Sequence, residues 1–382
     1  MVIPADFRTS STPAHRCRTA AERNEIRKQD KNSKSNTVDG KVVGHRSVSL
    51  KELAAHLDLS LTTVSRVMNH SAAEFRIAAA TQQRVLEAAS ALKYVPNAFA
   101  RGLRKKRSFT VGVMVPEISE GYAAAVLSGI GDALLQEKLF YFVVSHRHRE
   151  ELLDGYPRLL LSRAVEGIIA VDTPLHDSLP VPIVAVSGRH RRGILTIELD
   201  HLTAARYAIS HLAELGHRKI AFIKGQTFSS DTTVRWEAIR KVCVSLNIRV
   251  NPELVVQLEG MDPGSEPGYV ATKKLLTRKE RFTAIFAFND ASAIGAITAL
   301  HEAGLHVPRK ISVVGFDDIP TAATIRPALT TVRQPLYEMG QMAAMNLMRL
   351  IPRRGNSDPL PDSILVSPTF VRRHSTDKAV SD

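Results

Sequence analysis

The chain has 382 residues and a net charge of +13, which is too long for one ordinary core and suits two or three domains. Cys17 and Cys243 match neither a disulfide framework nor a metal site, and no apolar stretch is long enough to span a membrane. These features exclude a disulfide scaffold and a membrane protein. Because the N-terminus lacks the apolar core of a secretory signal, we expect a cytoplasmic protein.

The positive charge is concentrated at the N-terminal end. Residues 1–47 hold ten basic and five acidic residues, residues 48–107 hold ten and four, and the remainder holds 31 and 29. A basic N-terminal part on a nearly neutral body is typical of a nucleic-acid-binding protein, although a solvated basic tail gives the same balance. Residues 1–46 are polar without a sustained apolar period, so we predict a disordered basic extension there.

Three short helices are predicted between residues 47 and 95. Ser49 begins a capping box for the first helix, and Ser60 can cap a second helix over 61–69. The third helix is predicted at about 81–92. Two short helices joined by a tight turn, with a third helix behind them, are typical of a helix-turn-helix DNA-binding domain.

The outer face of the second helix carries side chains suited to the major groove. Arg66 can make a bidentate bond to guanine, and Leu61 can touch a thymine methyl group. The hydroxyl and amide groups would bind phosphates and set the register. A solvated helix face is the alternative for any one of these residues. The predicted contact set of this helix is Ser60, Leu61, Thr62, Thr63, Ser65, Arg66 and Asn69.

From Thr110 onward, short runs of Val and Ile alternate with helical stretches. This alternation predicts βαβ units and parallel sheets. Eight or more strands are expected to form two doubly wound sheets, with a ligand in the cleft between them. The runs are 111–115, 141–145, 167–171, 183–186, 219–223, 254–257, 284–288 and 312–316.

Five segments, in chain order, carry a family resemblance. They are 59–69 (LSLTTVSRVMN), 94–104 (YVPNAFARGLR), 211–221 (HLAELGHRKIA), 312–318 (SVVGFDD) and 326–335 (RPALTTVRQP). Together they resemble the lactose-repressor/galactose-repressor (LacI/GalR) family over about residues 48–376. The resemblance implies a repressor that binds a palindromic double-stranded operator as a homodimer or larger assembly. It implies control by a small effector, a sugar or sugar phosphate, with no cofactor and no enzymatic activity.

The resemblance also implies the architecture, which is an α/β fold. We expect a three-helix helix-turn-helix domain at 47–95, a hinge helix and linker at 96–107, and a tail at 377–382. The ligand-binding and dimerisation domain at 108–376 is expected to resemble periplasmic binding proteins, with two doubly wound parallel-sheet subdomains. The expected N-subdomain covers about 108–200 and 318–352, and the expected C-subdomain about 201–317 and 355–372.

The hinge segment resembles a helix that folds on the operator and inserts a leucine into the minor groove. By this match Leu103 is the inserted side chain, Arg101 and Arg104 flank it, and Asn97 begins the segment. An apolar wedge kinks the duplex at a cost of a few kcal/mol that wider contact offsets. Packing of Leu103 onto the regulatory domain is the alternative.

In the family, an arginine and an aspartate of the C-subdomain hold the effector, and Arg235 and Asp290 match them. Such a pair can bind two hydroxyl groups through charge-assisted hydrogen bonds. Asp231 is a further candidate, whereas Asp317 and Asp318 are expected to serve the subdomain crossing before any ligand. From the opposite wall we expect Ile118, Ser119 and Tyr122, with the Tyr122 ring able to stack on a sugar.

Two loops depart from the family pattern. The loop at 259–264 lacks the aromatic residue that often stands there. The loop before the third helix is about three residues longer than usual, and Ala78 stands where Ser or Thr commonly caps that helix.

An enzyme is the main alternative class. Gly129-Ile130-Gly131 lacks the third glycine of a dinucleotide fingerprint, and no Walker loop, zinc-protease motif or nucleophile elbow occurs. His146-Arg147-His148 could bind a metal, but an exposed basic loop is favoured, so we predict no metal site. The runner-up interpretation is a cytoplasmic ligand-binding protein or enzyme of similar bilobed fold without specific DNA binding. A transport protein of this fold would need a secretory signal and would not need residues 48–104.

Overall fold

The computed structural model describes residues 48–69, 75–95, 107–118, 121–175, 178–188, 193–351 and 361–380. Two compact units are present, Met1–Asn97 and Ala98–Asp382. The predicted extension at 1–46 and the hinge residues Asn97, Arg101, Leu103 and Arg104 lie outside the described residues.

The first unit contains the three predicted helices, and local chemistry sets their ends. Ser49 accepts a hydrogen bond from the backbone N–H of Glu52, whose side chain returns the bond, so the predicted capping box is present. Asp58, with φ of 53°, ends that helix in the left-handed conformation. Ala78 is the N-cap residue of the third helix and provides no side-chain cap. The helices are α1 (Leu50–Leu57), α2 (Leu61–Met68) and α3 (Ala79–Ala91).

A small apolar core joins these helices. One apolar stripe from each helix points inward, which leaves most of the outer surface polar. The buried members are Leu53, Ala54, Val64, Val67, Val85 and Ala89.

The second unit alternates strands and helices, as the sequence predicts. Its helices are α4 (Tyr122–Gln136), α5 (Glu150–Ser162), α6 (His201–Glu214), α7 (Ser230–Ser245), α8 (Glu266–Leu276), α9 (Asp290–Glu302), α10 (Pro320–Thr324) and α11 (Leu336–Leu350). Its strands are β1 (Thr110–Val115), β2 (Phe140–Ser145), β3 (Ile168–Val171), β4 (Ile183–Val186), β5 (Leu195–Leu199), β6 (Ile220–Lys224), β7 (Val255–Gln257), β8 (Ala284–Ala287), β9 (Ser312–Asp317), β10 (Thr330–Arg333), β11 (Ser363–Val366) and β12 (Thr369–Val371).

These strands form two six-stranded sheets, one in each lobe. The N-lobe sheet has the order β11-β5-β4-β3-β1-β2, and all of its pairs are parallel. The C-lobe sheet has the order β12-β10-β9-β8-β6-β7, in which only the β10–β12 pair is antiparallel. Central strands are buried on both faces, which explains their continuous Val and Ile runs.

The chain crosses between the lobes at places that differ from the expected subdomain boundaries. Residues 330–333 form β10 beside β9 in the C-lobe, so that crossing follows Arg333 and does not fall at 318. Residues 363–366 form β11 beside β5 in the N-lobe, although 355–372 were assigned to the C-lobe. The pairing of strands far apart in sequence decides both points, and the local residue pattern does not encode it.

The Gly129-Ile130-Gly131 segment serves helix packing. A side chain at Gly129 would approach the carbonyl oxygen of Tyr337 to 1.9 Å, and one at Gly340 would approach that of Val126 to 2.1 Å. Helices α4 and α11 therefore touch backbone to backbone. No helix in the described ranges has the length and apolar character needed to cross a membrane.

Candidate functional site

The outer face of α2 presents the predicted DNA-contacting side chains in the first unit. Leu61, at the first helical position, is 50% exposed, and Thr62 and Asn69 are also exposed. A single exposed leucine is ordinary on a protein surface, and on this helix its side chain is accessible for contact with a base edge.

Several of these side chains also hold the helix itself. The Ser60 hydroxyl accepts a hydrogen bond from the Thr63 N–H at 3.0 Å and lies 2.8 Å from the Thr63 hydroxyl. The Asn69 amide donates to the Ser65 carbonyl oxygen at 2.6 Å. The structure thus brings the predicted residues onto one surface, and part of their polar chemistry fixes the ends of α2.

Arg66 has an aromatic neighbour that the sequence analysis did not anticipate. The centre of its guanidinium lies 3.6 Å from the ring centroid of Phe75. Phe75 comes from the long loop before α3 and is 48% exposed.

The second candidate site is the cleft between the two lobes of the second unit. Strands of both sheets end there, as expected for doubly wound sheets. Asp172 follows β3 in the N-lobe, Phe288 follows β8 in the C-lobe, and Asp317 ends β9. The cleft encloses about 140 Å³.

Arg235 lines this cleft and is only 3% exposed. It stands one turn after Asp231 on α7, which places both side chains on the same face of the helix. Its Nη2 lies 3.2 Å from the Asp231 carboxylate, and its Nη1 donates to the Phe288 carbonyl oxygen at 2.5 Å. The guanidinium also covers the Phe316 ring at 3.7 Å. Its Nε is buried with no hydrogen-bond partner among the described residues. This N–H group is therefore available to donate a hydrogen bond to a ligand.

The carboxylates around Arg235 have different proton affinities. Burial raises the pKa of Asp317 to about 6, although Arg235 acts in the opposite direction. Burial, helped by the charge of Asp231, also raises the pKa of Asp172. Burial would raise the pKa of Asp231 too, but His201 and Arg235 outweigh it and hold that pKa below its usual range. Asp231 is therefore the carboxylate that forms the ion pair with Arg235.

Asp290 lies behind the cleft wall and does not line the cleft. It is fully buried, and its two carboxylate oxygens accept bonds from the Ile319 N–H at 2.8 Å and the Thr331 hydroxyl at 2.6 Å. Burial raises its pKa well above the usual value. It ties the end of β9 to β10, a role expected for its neighbour Asp317, whereas Asp317 lines the cleft. The two expected roles are exchanged because the fold turns the Asp290 side chain inward.

On the N-lobe wall, Tyr122 is the predicted residue that lines the cleft. Its hydroxyl lies 2.8 Å from that of Ser187, and burial followed by the charge of Asp231 raises the Tyr122 pKa well above its usual value. The group is therefore neutral. Ile118 is 64% exposed and does not line the cleft, and Ser119 lies outside the described residues.

Two contacts cross the cleft and link its walls. The Asp172 carboxylate accepts bonds from the Ser230 hydroxyl at 2.5 Å and from the Ser230 N–H at 3.2 Å, at the start of α7. The His148 ring lies against the Phe228 ring, with 3.8 Å between centroids. The cleft is therefore closed in this structure.

The segment at 146–148 is not the exposed basic loop that the sequence favoured. His146 is fully buried, and its Nδ1 accepts a bond from the His148 N–H at 3.1 Å. Burial lowers the pKa of His146 to about 4 and also lowers that of His148. His148 lines the cleft as a neutral ring.

Sequence reasoning missed several residues of the cleft. Asn289, next to Asp290, lines it, and Phe228 supplies an aromatic face although the 259–264 loop lacks one. The signal for Asn289 was its position two residues after the end of β8, where residues that follow parallel strands reach a cleft. Phe228 lies in the irregular loop after β6, where no period indicates which way a side chain points.

The electrostatic balance of the cleft is negative. Arg235 is the only Lys or Arg among the described lining residues. The described residues contain no group of three or more His, Cys, Asp or Glu arranged to hold a metal ion. The lining carboxylates are Glu117, Asp172, Asp231, Asp262 and Asp317.

A helix-turn-helix unit and a two-lobed unit with a polar cleft, present in one chain, define a DNA-binding regulator with a ligand-sensing domain. Residues 49–97 match the family described as bacterial regulatory proteins, lacI family, and residues 209–376 match the periplasmic binding protein-like domain.

Individual proteins agree with these matches. The HTH-type transcriptional repressor PurR of Haemophilus influenzae is 30% identical over 336 residues, covering 86% of this chain and 98% of that protein. Catabolite control protein A of Priestia megaterium is 31% identical over 340 residues, covering 86% and 99%. A crystal structure of the Lac repressor dimer bound to operator and the anti-inducer ONPF has a TM-score of 0.77 at 27% identity, covering 87% of this chain and all of that one. A complex of the regulator CelR with cellobiose has a TM-score of 0.63 at 27% identity, covering 86% and 99%.

The chain therefore belongs to the lacI family of bacterial regulatory proteins. It is a DNA-binding transcription repressor and not an enzyme, which confirms the family, fold class and function predicted from the sequence.

Proposed function

We propose that this repressor binds a near-palindromic operator as a homodimer in the cytoplasm, and that a small effector in the interlobe cleft changes its operator affinity. The observation that carries the proposal is Arg235, a buried guanidinium with an unpartnered Nε between carboxylates in a closed cleft. A buried polar group of this kind needs a hydrogen-bond partner, and a ligand or an ordered water in the cleft can supply it. The solved Lac repressor dimer, bound to operator and the anti-inducer ONPF, and the solved CelR complex with cellobiose support the same arrangement.

For DNA contact we propose the residues predicted on α2, with Arg66 reading guanine and Leu61 touching a thymine methyl. Ser60, Thr63 and Ser65 would contribute through the helix ends they fix, while Thr62 and Asn69 are exposed toward a duplex. The hinge residues Asn97, Arg101, Leu103 and Arg104 stay predictions from the family resemblance. Phosphate contacts from this basic part would make binding steeply salt-dependent.

The N-lobe carries exposed apolar side chains at and near one sheet edge. β2 is an edge strand, and it carries Phe140 and Phe142, which are 62% and 37% exposed and contact each other edge to face at 5.2 Å. Neighbouring Leu135 is 74% exposed. Clustered exposed apolar side chains mark association sites in soluble proteins, so we propose this edge as part of the dimer interface.

For the effector we propose a neutral, polyhydroxylated molecule about the size of one sugar ring. Tyr122, Asp231 and Arg235, with Asn289 and Asp317, would supply its hydrogen bonds. The excess of carboxylates over cations opposes a phosphate group, because a second anion in a water-poor cleft meets repulsion that one guanidinium cannot offset. An enclosed volume of about 140 Å³ resembles the cavity of about 150 Å³ that holds one benzene ring, so a larger ligand requires opening.

The effector would act by favouring one arrangement of the lobes. It can shift the closed and open populations only by its difference in affinity for them. The Asp172–Ser230 and His148–Phe228 contacts join the two lobes, and moving the lobes apart would break them, so they would favour the closed arrangement.

The DNA half of the proposal is tested by selecting bound duplexes from a random library with the full chain. An enriched inverted repeat is expected, and Arg66→Ala and Leu103→Ala should weaken its binding. If no duplex is preferred over random competitor, or if both variants bind it as tightly and selectively as the parent, the DNA assignment fails.

The effector half is tested by thermal shift with neutral monosaccharides and their phosphates. A ligand at 100 times its Kd stabilises the folded chain by about 2.7 kcal/mol. A shift with a neutral sugar that Arg235→Lys or Asp317→Asn removes would support the site. A larger shift with a sugar phosphate than with its parent sugar would contradict the proposed effector class.

A further inference from the structure

We propose that Phe75 is a specificity-determining residue of the DNA-binding head: its ring supports the Arg66 guanidinium in the plane from which that side chain reads guanine. The inference rests on the proposed role of Arg66 and goes beyond it by assigning a function to the lengthened loop before α3.

The Arg66 guanidinium lies over the Phe75 ring in close contact. Arg66 lies in the last turn of α2, and its guanidinium carbon is 3.6 Å from the Phe75 ring centroid. Attraction between a guanidinium and an aromatic face is strong at this distance. A ring against the face of a guanidinium leaves the N–H groups directed sideways, in the plane where a bidentate partner is met.

The backbone that carries Phe75 is fixed from the other side. Ile77, two residues further on, packs against the apolar core of the head. The Gln82 amide donates to the Ile77 carbonyl oxygen at 2.7 Å, which ties this segment to the first turn of α3. Arg76 between them has φ of 51°, a left-handed conformation that turns the chain sharply. The Phe75 ring is therefore held by an anchored segment.

The energetics favour a role in reading over a role in folding. Phe75 is 48% exposed and is not a member of the head core, so its removal exposes little that is now buried. Arg66 carries a long side chain whose many rotamers must be restricted before it can make two bonds to one base. Supporting the guanidinium before the duplex arrives lowers that entropy loss, and the gain appears only at the base pair that Arg66 reads.

The test uses the full chain and the duplex it selects from a random library. Arg66→Ala first identifies the guanine position that depends on Arg66. Affinities are then measured for this duplex and for versions with single base-pair changes at that position and elsewhere. The proteins compared are the parent, Phe75→Leu, Phe75→Tyr and Leu86→Ala. Leu86 is a matched control, because it is a 44% exposed apolar side chain of the same unit, on α3.

Phe75→Leu should reduce the preference for guanine at the Arg66 position about two- to thirty-fold, the range expected for a lost cation–π contact. Preferences at other positions should stay unchanged. Phe75→Tyr keeps the ring and should keep the preference, and Leu86→Ala should match the parent. An unchanged preference for guanine at the Arg66 position in Phe75→Leu would overturn the inference, and so would an equal loss of affinity for all duplexes. An increased preference for guanine in Phe75→Leu would also overturn it, because the ring would then hold Arg66 away from the base. Failure of the parent to select any duplex would instead defeat the proposed DNA function itself.

Discussion

In the head, the side chains that would meet DNA are exposed or bonded to near neighbours on α2, whereas in the cleft Arg235, Asp231 and Asp317 are buried against one another. The head adds function to a helix that an apolar face and hydrogen bonds at its two ends secure. The cleft places ionised groups where water cannot solvate them, and each group depends on its partners. The contrast teaches that stability and function separate in one part of this repressor and are coupled in the other.

The most severe test of this contrast is Arg235→Met. Removing the guanidinium breaks the ion pair with Asp231, takes the nearby positive charge from Asp317 and leaves the Phe288 carbonyl without this donor. Breaking a buried ion pair in this way should lower the free energy of unfolding by about 3–5 kcal/mol. Denaturant unfolding followed by the fluorescence of Trp236, the single tryptophan, measures this in the C-lobe.

Arg240→Met is the matched control, since Arg240 is exposed on the same helix. It should change stability by no more than about 0.5 kcal/mol. Equal losses of stability in the two variants would contradict the argument that the buried Arg235 stabilises the fold more than an exposed arginine does.

The head should show the opposite behaviour. Arg66→Ala should weaken discrimination of the selected operator by about 1–3 kcal/mol at one base pair. It should leave the free energy of unfolding nearly unchanged. Competition binding on matched duplexes gives the first quantity and thermal unfolding the second.

Arg84→Ala removes the same charge from an exposed position on α3. It should reduce the affinity for all duplexes by a similar factor without altering base preference. If base discrimination falls equally in Arg66→Ala and Arg84→Ala, Arg66 does not differ from a residue that only attracts the phosphate backbone.

Acid should reveal a third difference, because buried histidines occur in the two-lobed unit. His146 has a pKa of about 4 in the folded chain and near 6.5 when unfolded, so the unfolded state binds more protons between these values. Its contribution to stability is complete above about pH 6.5 and is lost as the pH falls toward 4. His146→Asn keeps an acceptor for the His148 N–H and should flatten this loss by about 1–2 kcal/mol.

Urea unfolding at several pH values checks the slope, with exposed His374→Asn as the control. Asp317 acts in the opposite direction: its raised pKa stabilises the fold at low pH and loses that contribution as the pH rises through about 6. The comparison of variants, and not the parent curve alone, therefore isolates His146. If the free energy of unfolding of His146→Asn depends on pH in the same way as that of the parent, His146 is not held neutral in the folded chain.

The smallest expected effect concerns the one uncapped helix of the head. Ala78 has extended backbone angles at the start of α3 and no side-chain cap. Ala78→Ser should stabilise the head by about 0.5–1 kcal/mol. Ser60→Ala should destabilise α2 by a similar amount, because it removes the bond to Thr63. Hydrogen exchange of the head amides measures both, and a decrease in protection in Ala78→Ser would contradict the capping argument.

The sequence by itself determined the three head helices, the family and all eight of the strands predicted in the two-lobed unit, to within a residue or so at their ends. These features depend on short-range chemistry: caps, apolar period and β-branched runs. The strands β5, β10, β11 and β12 were not predicted. All four hold only three to five residues, and a run this short cannot by itself be assigned to a strand.

Only the tertiary structure decided which carboxylate faces the cleft, where the chain crosses between the lobes, and that His146 is buried. Asp290 and Asp317 each lie near the carboxyl end of a C-lobe strand, so their positions in the sequence do not indicate which of the two lines the cleft. The hydrogen bonds from Ile319 and Thr331 turn Asp290 inward. Those partners come from distant parts of the chain, and side-chain direction at a strand end is set by such contacts and not by local pattern.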